Sequence, residues 1–194
     1  NTNGHIVRTT DGGNSWTTVQ NQTDFIMNNV CFSPDGKYFS CGQSGRIKRS
    51  TDNGSSWLQV QAGLLHLRLN QMCFLNDSTI FAVGDAGLLA KSTDRGSSWT
   101  IIDAGTIQNL LSICKTPDNT FYVVGTNNVL LKSTNSGANW STSNTGFTSN
   151  TDKFGEVFFV NNTTGFAGVD KLYKTTNSGS SWQQVLQPTF SPIY

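Results

Sequence analysis

The five tryptophans of the chain, Trp16, Trp57, Trp99, Trp140 and Trp182, are 41, 42, 41 and 42 residues apart. Each closes the same eight-residue phrase: TTDGGNSW (9–16), STDNGSSW (50–57), STDRGSSW (92–99), STNSGANW (133–140) and TTNSGSSW (175–182). Self-similarity at a fixed period of this length is the mark of stacked units, each too small to bury its own apolar face without a neighbour.

The rest of the repeat aligns around that box. A triplet ending in a base precedes it: Ile6-Val7-Arg8, Ile47-Lys48-Arg49, Leu89-Ala90-Lys91, Leu130-Leu131-Lys132 and Leu172-Tyr173-Lys174. Before the triplet comes an apolar run ending in glycine (38–42, 80–84, 121–125), and before that Val30-Cys31-Phe32, Met72-Cys73-Phe74, Ile113-Cys114-Lys115 or Val157-Phe158-Phe159. Pro, Asp, Asn and Gly mark the turns between these segments. Four short β segments per unit of about 40–45 residues predict the antiparallel blade of an all-β propeller. The expected division is a partial blade 1 at 1–20, blades at 21–61, 62–103, 104–144 and 145–186, and a tail at 187–194.

The box reads as a structural turn. Its acceptor is Asp11, Asp52 or Asp94 in three copies and Asn135 or Asn177 in the others. A carboxylate or amide oxygen can take backbone N–H groups within the turn, the glycine supplies a positive φ, and the leading hydroxyl is expected to bridge strand ends. The tryptophan folds back over the blade. A catalytic or metal-binding carboxylate would not tolerate Asn, so no catalytic, cofactor or metal residue is assigned here.

Composition removes several alternatives. Thirteen Lys+Arg against twelve Asp+Glu give a net charge of +1, without the basic excess that nucleic acid demands. No apolar stretch approaches the roughly 18–20 residues of a membrane-spanning helix. Five Trp and twelve Phe suffice for a packed core. The four cysteines lack metal-type spacing; Cys31, Cys73 and Cys114 share one repeat position and read as core fillers. A Cys31–Cys41 disulfide is disfavoured, because a two-residue turn sets the pair on opposite faces. His5 and His66 are isolated.

The phrase S-x-D-x-G-x-x-W resembles the Asp-box, or bacterial neuraminidase repeat, of sialidases, xyloglucanases and sortilin-type propellers. The fuller pattern, from Phe81-Ala82-Val83-Gly84-Asp85-Ala86-Gly87 into Lys91-Ser92-Thr93-Asp94, is most similar to the photosystem II stability/assembly factor family. That resemblance implies a non-enzymatic, secreted or lumenal propeller, seven-bladed in the family. Sialidases would imply an arginine triad, a Tyr/Glu nucleophile pair and an acidic Asp. Here Glu156 is the one glutamate and has no matching tyrosine, while glycosidases need two placed carboxyl groups.

Counting strands, the first copy lacks two, and the chain carries about 4.7 repeats. The expectation is a processed segment of a larger propeller; the alternative is a five-bladed ring patched by 188–194.

Two features remain as candidates for recognition. A basic residue fills the slot before every box: Arg8, Arg49, Lys91, Lys132 and Lys174. Each follows by two positions an apolar residue expected to be buried. The stem can cover a tryptophan or a neighbouring blade, or the charges can form a partner-binding rim. The crossovers at 20–29, 61–71, 103–112 and 144–156 differ between copies, with a leucine-rich 63–69 and a polar 145–152. Together these suggest a secreted bacterial propeller that binds a protein partner or scaffolds assembly, without cofactor. The alternative is the glycan-binding part of a carbohydrate-active propeller, with Phe147 and Tyr173 lining a sugar groove.

Overall fold

The computed structural model describes residues 5–21, 26–60, 66–143, 155–168 and 171–185. Phe147, the polar 145–152 segment, the first half of the leucine-rich stretch and the tail lie outside them. The first sheet has two strands, β1 (His5–Arg8) and β2 (Thr17–Asn21). Four antiparallel sheets of four strands follow. They comprise β3 (Met27–Phe32), β4 (Tyr38–Gly42), β5 (Ile47–Ser50) and β6 (Leu58–Val60); then β7 (Leu69–Phe74), β8 (Ile80–Gly84), β9 (Leu89–Ser92) and β10 (Thr100–Ile102). The next holds β11 (Leu110–Lys115), β12 (Phe121–Gly125), β13 (Leu130–Ser133) and β14 (Ser141–Thr142); the last, β15 (Glu156–Phe159), β16 (Gly165–Gly168), β17 (Leu172–Thr175) and β18 (Gln183–Gln184). Each sheet runs in chain order as a meander, and neighbouring sheets meet through β3, β7, β11 and β15. This is the β-propeller arrangement.

The second strands of the third and fourth sheets are buried along their whole length: Ile80 to Gly84 and Phe121 to Gly125 are covered on both faces. A continuous apolar run is therefore correct for a strand sandwiched between two neighbouring sheets. Three cores fill the seams. Phe39, Cys41 and Ile47 meet Leu69, Met72, Phe74 and Ile80. Phe81, Val83 and Leu89 meet Leu110, Ile113, Phe121 and Leu131. Tyr122, Val124 and Leu130 meet Val157, Phe159, Tyr173 and Trp182. The fourth strands are short and largely exposed, which limits the open edge each sheet presents.

Two expectations need correction. The first strands begin at Met27, Leu69 and Leu110, three residues ahead of the apolar triplets. A register shift falls within each added stretch, so its polar residues belong to the sheet rather than to the crossover. Leu172 is not buried like Ile6, Ile47, Leu89 and Leu130; it is 45% exposed, because that face of β17 meets no further described sheet.

Candidate functional site

The five boxes build one hydrogen-bonded turn five times. In the second, the Ser50 hydroxyl donates to Asp52 Oδ1 at 2.8 Å and accepts from Gly54 N–H at 2.8 Å. Asp52 also accepts from the Ser56 amide at 2.9 Å and the Ser56 hydroxyl at 2.6 Å. Asp11 and Asp94 repeat the pattern. Asn135 and Asn177 keep the Oδ1 contacts. The leading hydroxyl thus closes the turn from within rather than bridging strand ends. Two successive residues adopt positive φ, for example Arg95 (62°) and Gly96 (80°). The indoles of Trp16, Trp57 and Trp99 donate to the box glycine carbonyl at 3.1–3.2 Å. Trp140 packs against Phe81 and Phe121, and Trp182 against Phe159.

Donation from Ser56, and correspondingly from Ser98, holds the Asp52 and Asp94 carboxyls down at about 2 against an ordinary 3.8, and Asp11 is lowered in the same way. The folded state therefore binds fewer protons than the unfolded one. The turns are fully supported above about pH 4 and lose that support as pH falls toward 2. Acid unfolding followed by tryptophan fluorescence should have a flatter limb in the combined Asp11→Asn, Asp52→Asn, Asp94→Asn variant, since two boxes already use Asn. An unchanged acid limb would contradict this.

Four of the basic-slot residues lie half-buried between sheets, whereas Lys174 is exposed on the face of β17 that no further described sheet covers. Lys91 stands opposite Phe81 in register, with Nζ 5.4 Å from that ring's centroid. Lys132 lies likewise over Tyr122 at 5.4 Å, and Lys174 over Phe166 at 5.8 Å. Arg49 is half-buried opposite Phe39. Two of the bases then reach the following box at its fourth position. Arg8 Nη1 donates to the Asn53 carbonyl and the Ser55 hydroxyl, both at 2.7 Å. Lys132 Nζ donates to the Ser178 carbonyl at 2.7 Å.

A second constellation, absent from the sequence reading as a site, surrounds the starts of the first strands. A polar recess of about 300 Å³ is lined by Asn28, Asn29, Arg68, Asn70, Gln71 and Glu156, with Leu111 and Gly155. Asn28 and Asn70 donate to the Leu69 and Leu110 carbonyls of the next sheet at 2.6 and 2.8 Å. Asn29, Gln71 and Ser112 accept the amides of Met72, Ile113 and Val157 at 3.4, 2.5 and 3.1 Å. Glu156 accepts from Gln71 and Ser112, each at 3.2 Å. Arg68 donates to Asn28 at 3.0 Å. The available signal was a polar residue at the same place in successive repeats, immediately before each apolar triplet.

All four cysteines are free thiols. Cys31 pairs with Phe39 and Cys41 with Asn29 in the ladder, so the two do not face one another; burial pushes the Cys41 thiol up to about 12. Among the described residues there is no cluster of three or more His, Cys, Asp or Glu suited to a metal, and no helix long and apolar enough to cross a membrane. Tyr173 is only 6% exposed, so it does not line an open sugar groove.

The sequence profile of the family described as Photosynthesis system II assembly factor YCF48 matches residues 92–191. No curated protein sequence matches the chain. Among solved structures, YCF48 bound to D1 peptide superposes with a TM-score of 0.72 at 20% identity, covering 90% of this chain and 58% of that one. YCF48 from Cyanidioschyzon merolae gives 0.61 at 14%, covering 94% and 78%. An ancestral GH74 enzyme gives 0.72 at 20%, covering 84% and 24%. The chain thus spans less than two thirds of the first and last of these structures, and all three likenesses report on the fold. The profile spans half of the chain, taking in the third, fourth and fifth boxes, and on that ground the chain belongs to the YCF48-type photosystem II assembly-factor family of Asp-box β-propellers.

Proposed function

We propose that this chain is a non-catalytic propeller that binds a polypeptide partner and acts as a scaffold in assembly. The observation that carries the reading is its membership of an assembly-factor family. The chemistry of the carboxylates supports it. The box aspartates are hydrogen-bond acceptors in turns, with pKa values held low, so they are poor proton donors at neutral pH. Among the described residues, Glu156 is the one carboxylate lining the polar recess, beside Asn28, Asn29, Asn70, Gln71 and Arg68. Hydrolysis of a glycoside calls for a second carboxyl group across the scissile bond.

A related structure, YCF48, is bound to D1 peptide, which supports a polypeptide as the partner class. The polar recess suits an extended chain: Asn and Gln side chains hold four hydrogen-bonding positions each and use only some of them within the fold. Secretion from a bacterial cell is part of the proposal, supported by a surface rich in Asn, Thr and Ser with a single Glu.

Incubation with a panel of chromogenic glycosides should give no turnover. Turnover that disappears in Glu156→Gln would overturn the scaffold reading. In selection against a peptide array, binding should fall in Arg68→Met and persist in Lys91→Met. The opposite outcome would place recognition on a rim formed by the basic slot.

A further inference from the structure

Arg68 and Glu156 line the same polar recess, yet neither forms an ion pair with the other or with any other described residue. Each spends its charge on neutral neighbours instead. Arg68 Nη2 donates to the Asn28 side chain at 3.0 Å, which uses one of the five donors of a guanidinium. Glu156 accepts from Gln71 and Ser112 on a single oxygen, Oε1, each at 3.2 Å, and its other oxygen has no partner among the described residues. Opposite charges held apart in one recess are disposed for a ligand that brings both complements. Two half-spent amides share the lining. Asn29 accepts the Met72 amide through Oδ1, which leaves its Nδ2 donor unused among the described residues. Asn70 donates through Nδ2 to the Leu110 carbonyl and to Asp85, which leaves its Oδ1 acceptor unused in the same way.

We propose that the recess selects a pair of opposite charges in an extended polypeptide, one acidic and one basic side chain separated by a single residue; this rests on the polypeptide-binding role proposed for the chain. In an extended strand the side chains at i and i+2 share a face about 7 Å apart, and the residue between them turns its side chain away. The acidic member meets the guanidinium of Arg68, and the basic member meets the unused oxygen of Glu156. The N–H and C=O of the middle residue pair with Asn70 Oδ1 and Asn29 Nδ2. Because one of these is an acceptor and the other a donor, the peptide is held in one direction, and the order of its two charges matters. A recess of about 300 Å³ lies at the lower limit of ligand-binding clefts, which suits a few residues of an extended chain. A segment with only one of the charges leaves the opposite group of the recess without its complement.

The test uses an array of short peptides with blocked ends, each carrying Glu-Ser-Lys, Lys-Ser-Glu, Gln-Ser-Lys, Glu-Ser-Gln or Gln-Ser-Gln in one polar background. One of the two mixed-charge orders should bind best, and neutralising either residue in it should weaken binding about tenfold, the loss of one charge-assisted contact. Glu156→Gln should erase the contribution of the lysine and keep that of the glutamate, and Arg68→Met should do the converse. Exchanging the two charges, Arg68→Glu with Glu156→Arg, leaves the net charge of the chain unchanged and should invert the preferred order. Both positions are exposed, and melting temperatures matching the parent's show that the variants keep the fold. Binding that ignores the charges, or a preferred order that survives the exchange, overturns the inference and leaves the polypeptide-binding role standing. Binding of none of the peptides by the parent chain overturns both.

Discussion

Tyr122→Ala should lower the free energy of unfolding by about 3–5 kcal/mol, the largest effect expected of a single truncation in this chain. The ring is fully buried and stacks on Phe159 with centroids 4.0 Å apart. Its hydroxyl donates to the Ser178 carbonyl at 2.8 Å, and Lys132, with Nζ 5.4 Å from the ring centroid, donates to the same carbonyl. One residue therefore links the fourth sheet to both the core and the box of the fifth. Tyr122→Phe keeps the stack and loses the hydroxyl, and should cost about 1 kcal/mol. Calorimetry should show the alanine variant melting roughly 6–20 °C lower and the phenylalanine variant within a few degrees of the parent. Equal shifts would mean that the hydroxyl, not the ring, holds the seam.

Gly137→Ala adds one methyl group and should still cost about 2–5 kcal/mol. The residue has φ +76°, and the added Cβ would lie 2.2 Å from Phe81 Cζ. A left-handed backbone and a steric overlap act together there. Gly13 supplies the control, since it occupies the same place in the first box at φ +96° with nothing within 4 Å. Gly13→Ala should cost only the backbone contribution, about 1–2 kcal/mol. Urea unfolding of the two variants separates the steric contribution from the conformational one. If both lose the same stability, the seam is looser than the packing of Phe81 implies.

The recurrence of Trp, box and basic slot was enough to read the sheets and their order, because a period near 41 residues leaves few architectures open. The side-chain periodicity within a strand was less informative about partners. It placed Lys91 and Lys132 at the end of a buried face but could not show that the face belongs to the next sheet's box. The polar starts of the first strands were read as crossover for a related reason. Asn28, Asn70 and Gln71 look solvated in isolation, yet their hydrogen bonds go to main-chain groups about 40 residues further on. Pairings of that range are invisible to any local reading. Leu172 shows the converse: the same residue type at the same repeat position is buried only where another sheet covers it.

The recess around Arg68 and Glu156 was the least legible feature. Glu156 stood out as the single glutamate, but its neighbours come from four successive sheets, and the polar position they share changes side chain from copy to copy. Recurrent positions thus report on packing, while the candidate recognition surface draws on residues that differ between copies.

The recurring residues lock each sheet onto the one before it, the ring of one sheet's second strand lying against the box glycine of the next. A double-mutant cycle of Phe81→Leu with Gly137→Ala, measured by equilibrium urea unfolding, tests this directly. Shortening the ring should remove the overlap, so that Gly137→Ala in the Phe81→Leu background costs no more than Gly13→Ala, a coupling of at least about 1 kcal/mol. Additivity of the two substitutions within about 0.3–0.5 kcal/mol would show that Phe81 and the box glycine do not meet, and would contradict the account.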